Sequence, residues 1–373
     1  MIYLYQTHIS TAFTTKLRGY TERLIGNSTL LVDDYKQALA IKKWCLDNGF
    51  SPVSIKIVAE VDFVSKDKIL LDIRANLIEA LYHKVINTNI RIIFSANHFM
   101  CPEPSMISLL LGVQSRLTII LENIASKDDV FDCYGLDQDV CRIVCIPPVI
   151  VTNNDLLRFE KAFKDRQIRL NKQNIMTAGV IMYHKPRHDR WWQKRHEVLD
   201  YFPARTLLHN LSNDLGFDSY SMVVEDNSKR HQFWNKIKRR LEIDLKIQQR
   251  RYKKYYSIDI VAALMSHDFF FAPQDIFSVV PQFAFHAMRA GLIIIGTDEK
   301  CFTSLGFIDG VNYISIGEKW DQQAIEKSIT RCKNLTSAEI DNLRAASRRL
   351  LTKLDDEASI SVDSLFLEDC LSV

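Results

Sequence analysis

Four side chains in the amino-terminal half are of types that move protons and follow short apolar runs, namely His8, His98, Asp34 and Glu122. A histidine titrates near neutral pH and suits taking a proton from a hydroxyl, whereas a carboxylate needs burial before it becomes an effective base. His8 ranks first, then His98, then Asp34 (beside Asp33) and Glu122. In the carboxyl-terminal half, Lys185 and Arg187 carry full positive charges that suit the oxygens of a phosphate-type anion. The chain contains no H-E-x-x-H, G-x-G-x-x-G, P-loop or G-x-S-x-G sequence, which argues against proteases, dehydrogenases, kinases and lipases. Asp-x-Asp occurs as Asp137-Gln-Asp139, away from any strand end, so no metal is expected.

The elements that must position these groups follow from short apolar runs separated by helix-length stretches. Strands are predicted at Ile2–Gln6, Thr29–Val32, Ile55–Val58, Lys68–Ile73, Arg91–Phe94 and Leu117–Leu121. Such runs are the mark of a parallel sheet covered on both faces. Two consecutive prolines, Pro147 and Pro148, cannot sit inside a central strand or helix, and they place a domain junction near residues 147–155. After a helix-prone stretch, Asn154–Lys172, the alternation restarts. Strands are predicted at Thr177–Tyr183, Thr206–His209, Tyr220–Val224, Asp268–Ala272 and Leu292–Ile295, and helices at Trp191–Tyr201 and Val280–Arg289. Gly291 ends the second of these helices, and Ser278 is a competent N-cap for a start near 278–280. Thr336-Ser-Ala-Glu339 is a capping box that opens a long helix to about Lys353. The fold class is therefore α/β, with two Rossmann-like doubly wound halves facing across a cleft. Its domains are 1–150, 151–350 and a tail or returning helix over 351–373. Ligands of such sheets bind beyond the carboxyl ends of the strands. His8 follows the first strand, His98 follows Arg91–Phe94, and Lys185 and Arg187 follow Thr177–Tyr183.

The stretch SHDFFFAPQDIFSVVPQFAFHAMRAGLIIIGTDEKCFTSLGFIDGVNYISI, residues 266–316, resembles the donor-binding core of a GT-B glycosyltransferase. The family pattern is a strand ending in proline, a turn, a helix with "EAMAxG", a strand ending in a small residue plus Asp, and a "DGxN" turn. Its counterparts are Phe269–Pro273, Asp275–Val279, His286-Ala-Met-Arg-Ala-Gly291, Leu292–Asp298 and Asp309-Gly-Val-Asn312. The IPPVIVTN junction and Val180–Arg187 resemble the hinge and the opening basic loop of the second half. The match runs in order over roughly residues 146–350. It implies a nucleotide-sugar donor held as substrate, with no cofactor, by Lys185, Arg187, Glu225, Asp275, Ser278, Val279, Gln282 and His286. It also implies a glycosyl acceptor hydroxyl activated by one of the amino-half bases. Many members carry two glutamates where this chain has Ser278 and His286. That departure puts a UDP- or GDP-sugar donor in question and leaves CMP open. It also leaves open a catalytically degenerate binding or scaffold protein.

Composition bounds the alternatives. With 47% hydrophobic and 25% charged residues over 373 positions, the chain is globular, and length alone gives two or three domains. Forty-eight basic and 45 acidic residues leave a net charge of only +3, unlike a dedicated nucleic-acid binder. The eight cysteines form no C-x-x-C pair and read as reduced thiols. No apolar run reaches the 18 or more residues of a membrane span, and the amino terminus has no basic leader, so the expected location is cytoplasmic. Residues 229–256 hold eleven Lys or Arg, interleaved with Ile237, Leu241, Ile243, Leu245 and Ile247. That pattern fits a packed helix with a solvated basic face better than nucleic-acid recognition, and such a face can also rest on an anionic membrane surface. The expected function is transfer of a sugar to a glycan or lipid-linked acceptor, in surface polysaccharide or glycoconjugate synthesis.

Overall fold

The computed structural model describes residues 1–5, 22–47, 54–72, 78–96, 104–149, 151, 153–167, 173–182, 202–224, 260–274 and 279–366. The chain divides into two compact units, Met1–Leu156 together with Lys353–Val373, and Leu157–Thr352.

In the first unit the strands are β1 (Ile2–Tyr5), β2 (Ser28–Val32), β3 (Ser54–Ile57), β4 (Lys68–Asp72), β5 (Arg91–Ser95), β6 (Leu117–Leu121) and β7 (Arg142–Cys145). They form one parallel sheet in the order β3-β2-β1-β4-β5-β6-β7. Helices α1 (Tyr35–Asp47), α2 (Glu79–Ile86), α3 (Pro104–Gly112) and α4 (Lys127–Tyr134) connect them. Every residue of β1 and β2 is buried, because helices cover both faces and each side chain leaves water whichever way it points. The chain runs outward from β1 to β3, then returns past β1 to β4, so the strand order reverses between β1 and β4. Tyr5 and Asp72 end those two strands.

Helix α5 (Asn153–Gln167) leads into the second unit. There β8 (Ile175–Met182), α6 (Pro203–Leu215), β9 (Asp218–Val224), α7 (Ile260–Met265) and β10 (Phe269–Phe271) are followed by α8 (Gln282–Arg289) and β11 (Ile293–Gly296). The rest is α9 (Lys300–Thr303), β12 (Ile314–Ser315), α10 (Gln322–Asn334) and α11 (Ser337–Phe366), whose residues from Lys353 onward belong to the first unit. The five strands are parallel in the order β12-β11-β10-β8-β9, so the reversal falls between β8 and β10. Its core joins Phe269, Phe271, Ile293, Ile295 and Ile314 to Leu208, Ile325 and Ile340 on the helices.

Three sequence expectations are corrected. Thr206–His209, read as a strand, lies inside α6, where Pro203 at the helix start and the left-handed Gly216 at its end delimit a helical stretch. The helix expected to start near 278–280 starts at Gln282 after an extended Pro281, because a residue preceding proline is pushed out of the helical region. Helix α11 runs thirteen residues past Lys353, to Phe366, since no glycine or proline interrupts the stretch from Ser337 onward. Its start matches the capping box, with the Thr336 N–H donating to Glu339 Oε2 at 2.8 Å and the Glu339 N–H returning to Thr336 Oγ1 at 3.3 Å.

The amino end of the second sheet is closed by a buried ionic cluster. Asp268, 1% exposed, meets Arg166 at 3.0 Å and Arg344 at 3.5 Å, and accepts the Gln173 N–H at 2.8 Å. Arg166 also donates to the carbonyls of Leu264 and Ala290, and to that of His267 through a short contact. Arg344 donates to the Gly291 carbonyl. One guanidinium thereby covers the ends of both α7 and α8. Helix α8 itself ends in a Schellman motif, with Leu292 N–H on Ala287 O and Gly291 N–H on Met288 O. Gly291 has φ +81°, and a Cβ there would stand 2.8 Å from Arg166 Cδ, so glycine is required twice over.

Candidate functional site

The carboxyl edge of the second sheet is where the chain arranges polar groups. Helix α8 begins there with no side-chain cap and no acidic residue in its first turn, so its first N–H groups and the positive end of its dipole suit an anion. Gln282 and His286 stand four apart on one face of this helix. The amide nitrogen of Gln282 and the Nε2 of His286 are both buried without a hydrogen-bond partner. Buried polar atoms are nearly always paired, so these two nitrogens on one helical face are available to a polar group that can reach them. The His286 ring packs between Phe159 and Phe283, at centroid distances of 5.1 and 5.6 Å. Burial, and then the charge of Arg289, push its pKa down to about 3. His286 is therefore a neutral imidazole at physiological pH: it can donate or accept a hydrogen bond but does not carry charge.

Three adjacent strands contribute to the same edge. Gln274, past the end of β10, accepts the Trp320 indole N–H at 2.6 Å and donates its amide to Glu299 Oε1 at 2.6 Å. Trp320 follows β12 and Glu299 follows β11, so the hydrogen-bond chain crosses the sheet edge from strand to strand. Beside it, the buried Tyr313 hydroxyl donates to Asp298 at 2.8 Å, and this bond, after burial, raises the tyrosine pKa. The Asp309–Asn312 turn is consumed by bracing: Asn312 accepts from Ile308 N–H and donates to Gly306 O, while Asp309 accepts from Ser315 N–H and Arg331. Its Gly310 has φ +70°, which glycine adopts without strain.

Of the expected donor-site residues, Gln282 and His286 lie on one face of α8, and Val279, which is buried, lies three residues before its start. Lys185, Arg187, Glu225, Asp275 and Ser278 lie outside the described residues, as do His8, His98, the Trp191–Tyr201 helix and the basic segment 229–256. In the first unit Asp34 caps α1, its carboxylate accepting the Gln37 N–H at 2.8 Å. Asp33 is held by the Tyr5 hydroxyl at 2.7 Å and the Gln37 amide at 2.9 Å. Glu122 is half-buried just past β6. The ends of β2 and β6 are four strand steps apart, roughly 19 Å, so Asp34 and Glu122 cannot serve one reacting atom. Sequence reasoning missed Gln274, Glu299 and Trp320. Their signal was present only as polar residues just after three apolar runs.

Among the described residues no group of three or more His, Cys, Asp or Glu is placed to hold a metal ion. No described helix is long and apolar enough to cross a membrane.

No protein-family model and no curated protein matches the chain. Solved structures do. A glycosyltransferase from Rickettsia africae ESF-5 matches at a TM-score of 0.52 and 14% identity, covering 98% of both chains. The Anabaena protein HepE, solved in complex with UDP and glucose, matches at 0.53 and 10% identity, again over 98% of both chains. At these identities the likeness is one of fold. The chain has a GT-B glycosyltransferase-like fold, α/β with two parallel sheets.

Proposed function

We propose that this chain is a metal-independent glycosyltransferase that moves a sugar from a nucleotide-sugar donor to a hydroxyl of a glycan or lipid-linked acceptor. The observation that carries this reading is the pair of unpartnered buried groups, Gln282 Nε2 and His286 Nε2, beside an uncapped helix start at the carboxyl edge of the second sheet. A nucleoside diphosphate answers both features. Its phosphates take the helix N–H groups, and its other polar atoms take the orphaned nitrogens.

In this reading Lys185 and Arg187, which come after β8 in the sequence, neutralise charge on the leaving diphosphate. Glu225, Asp275, Ser278 and Val279 are assigned to the donor site as well. The general base is assigned to the amino-terminal unit in the order His8, His98, Asp34, Glu122. His8 leads because it follows β1 by three residues in the sequence and an imidazole needs no large pKa shift to act near pH 7. The basic segment 229–256 is assigned to contact with anionic lipid, which suits a lipid-linked acceptor and a place at the inner face of a membrane.

Thermal-shift measurements with UDP, GDP, TDP and CMP test the donor site. One nucleotide should stabilise the protein, by about 2.7 kcal/mol at a hundredfold excess over its Kd. No stabilisation by any of them at millimolar concentration removes the reading. His8→Ala should then lower turnover by about 10²–10⁴-fold and leave nucleotide affinity unchanged.

A further inference from the structure

Helix α1 covers β2 and β3 with one side only. Ile41 and Cys45, one turn apart, are 5% and 2% exposed and form the packed side. Tyr35, Leu39 and Leu46 point the other way, at 71%, 70% and 57% exposure. Their spacings of four and seven residues put all three in one row along the helix, and the exposed Lys42 stands in the same row. Lys36 and Lys43 are exposed along its flank. Residues 35–46 hold these three lysines and no aspartate or glutamate. Glu60 brings one carboxylate to the end of the row, where it accepts the Tyr35 hydroxyl at 2.7 Å, and Asp34 is engaged in capping the helix start.

Apolar side chains scattered singly over a surface are ordinary, but a row of them bordered by lysines is not. From Tyr35 to Leu46 the row is about 16 Å long, and a helix is roughly 10 Å wide. That strip is far smaller than the roughly 800 Å² per partner of a stable protein interface. A lipid surface sets no such minimum. Leucines enter the boundary between headgroups and acyl chains, while lysine stems lie along the apolar surface and their ammonium groups reach lipid phosphates. We propose that the exposed face of α1 docks on an anionic lipid bilayer, with Leu39 and Leu46 inserted and Lys36, Lys42 and Lys43 on the phosphates. This adds a second element, in the first unit, to the lipid contact assigned to residues 229–256, and it stands without the donor-site reading.

Vesicle flotation of the full chain tests this, with phosphatidylcholine alone and with a mixture of phosphatidylcholine and phosphatidylglycerol. The unaltered protein should float with the mixture only, and less of it as salt rises. Leu39→Gln combined with Leu46→Gln should weaken partition to the mixture by about 10–100-fold. Lys42→Gln combined with Lys43→Gln should weaken it by about fivefold for each lysine removed, and should flatten its salt dependence. Ile360→Gln changes a comparably exposed residue on α11, at 68%, and should leave partition as it was. No flotation with the mixture overturns the proposal. Unchanged partition in both α1 variants also overturns it and leaves lipid contact to residues 229–256. An equal loss in Ile360→Gln does the same, because the effect would not belong to α1. Concentration-dependent self-association that the leucine variant abolishes, with flotation unaltered, would make this face a contact between copies of the chain instead. Should the leucine variant not fold, Leu39→Ala with Leu46→Ala keeps helix propensity and should show the same loss in smaller measure.

Discussion

The two ends of the second sheet are built on opposite principles. At the amino end, Asp268 is fully buried and faces Arg166, Arg344 and the Gln173 N–H, while the arginines extend to the carbonyls of Leu264, His267, Ala290 and Gly291. Even His267 is engaged on both ring nitrogens, by Ala263 O and by the Asp218 carboxylate. At the carboxyl end, Gln282 and His286 keep buried nitrogens without partners. A buried charge cluster is stable only when its members are mutually paired, whereas an unpaired buried donor costs free energy that a ligand can return. One end holds the unit together and the other holds polarity in reserve.

That contrast is broken most severely at Asp268. Asp268→Ala leaves two arginines buried without their counter-ion, and should cost about 3–5 kcal/mol in urea unfolding. A loss below about 1 kcal/mol would mean that the amino-end cluster is not a structural clasp.

The next effect is one of pH. The pKa of His286 is depressed in the folded protein, to about 3, while in the unfolded chain it is near the ordinary value of 6.5. The unfolded state therefore binds the proton first as the solution is acidified. The stability contributed by a neutral His286 is complete above about pH 6.5 and is lost as pH falls towards 3, at up to about 1.4 kcal/mol per pH unit. His286→Phe, which keeps a ring between Phe159 and Phe283, should flatten the stability profile between pH 4.5 and 6.5. An unchanged slope would show that other groups set it.

The smallest change is expected at the other orphan. Gln282→Met removes an unpaired amide while keeping the chain length, so stability should stay within about 0.5 kcal/mol of the original or rise slightly. Nucleotide affinity should fall in the same variant. Marked destabilisation would instead show that Gln282 has a structural partner and would weaken the contrast between the two ends.

The alternation of buried runs was readable because a strand covered on both faces needs apolar residues at every position. Ile2–Tyr5, Leu117–Leu121 and Phe269–Phe271 announce themselves in this way. The reading failed where a short run was ambiguous in period. Thr206–His209 is part of a helix whose apolar positions, Leu207, Leu208, Leu211 and Leu215, recur at three and four rather than two. Local chemistry was legible at the Thr336 capping box and at Gly291, where both partners of the motif lie within a few residues.

The sequence by itself thus determined the fold class, most of the strand runs, the helix that carries His286 and the residue types available for proton and phosphate chemistry, because each of these depends on neighbours along the chain. Only the tertiary structure decided which polar groups meet. Gln274 lies 25 residues from Glu299 and 46 from Trp320, and Arg166 lies 102 from Asp268. Lateral pairing of parallel strands closes the first two distances, and the packing of α5 against the sheet closes the third. Phe159 on the same helix packs against His286, and no local pattern around residue 286 encodes that burial.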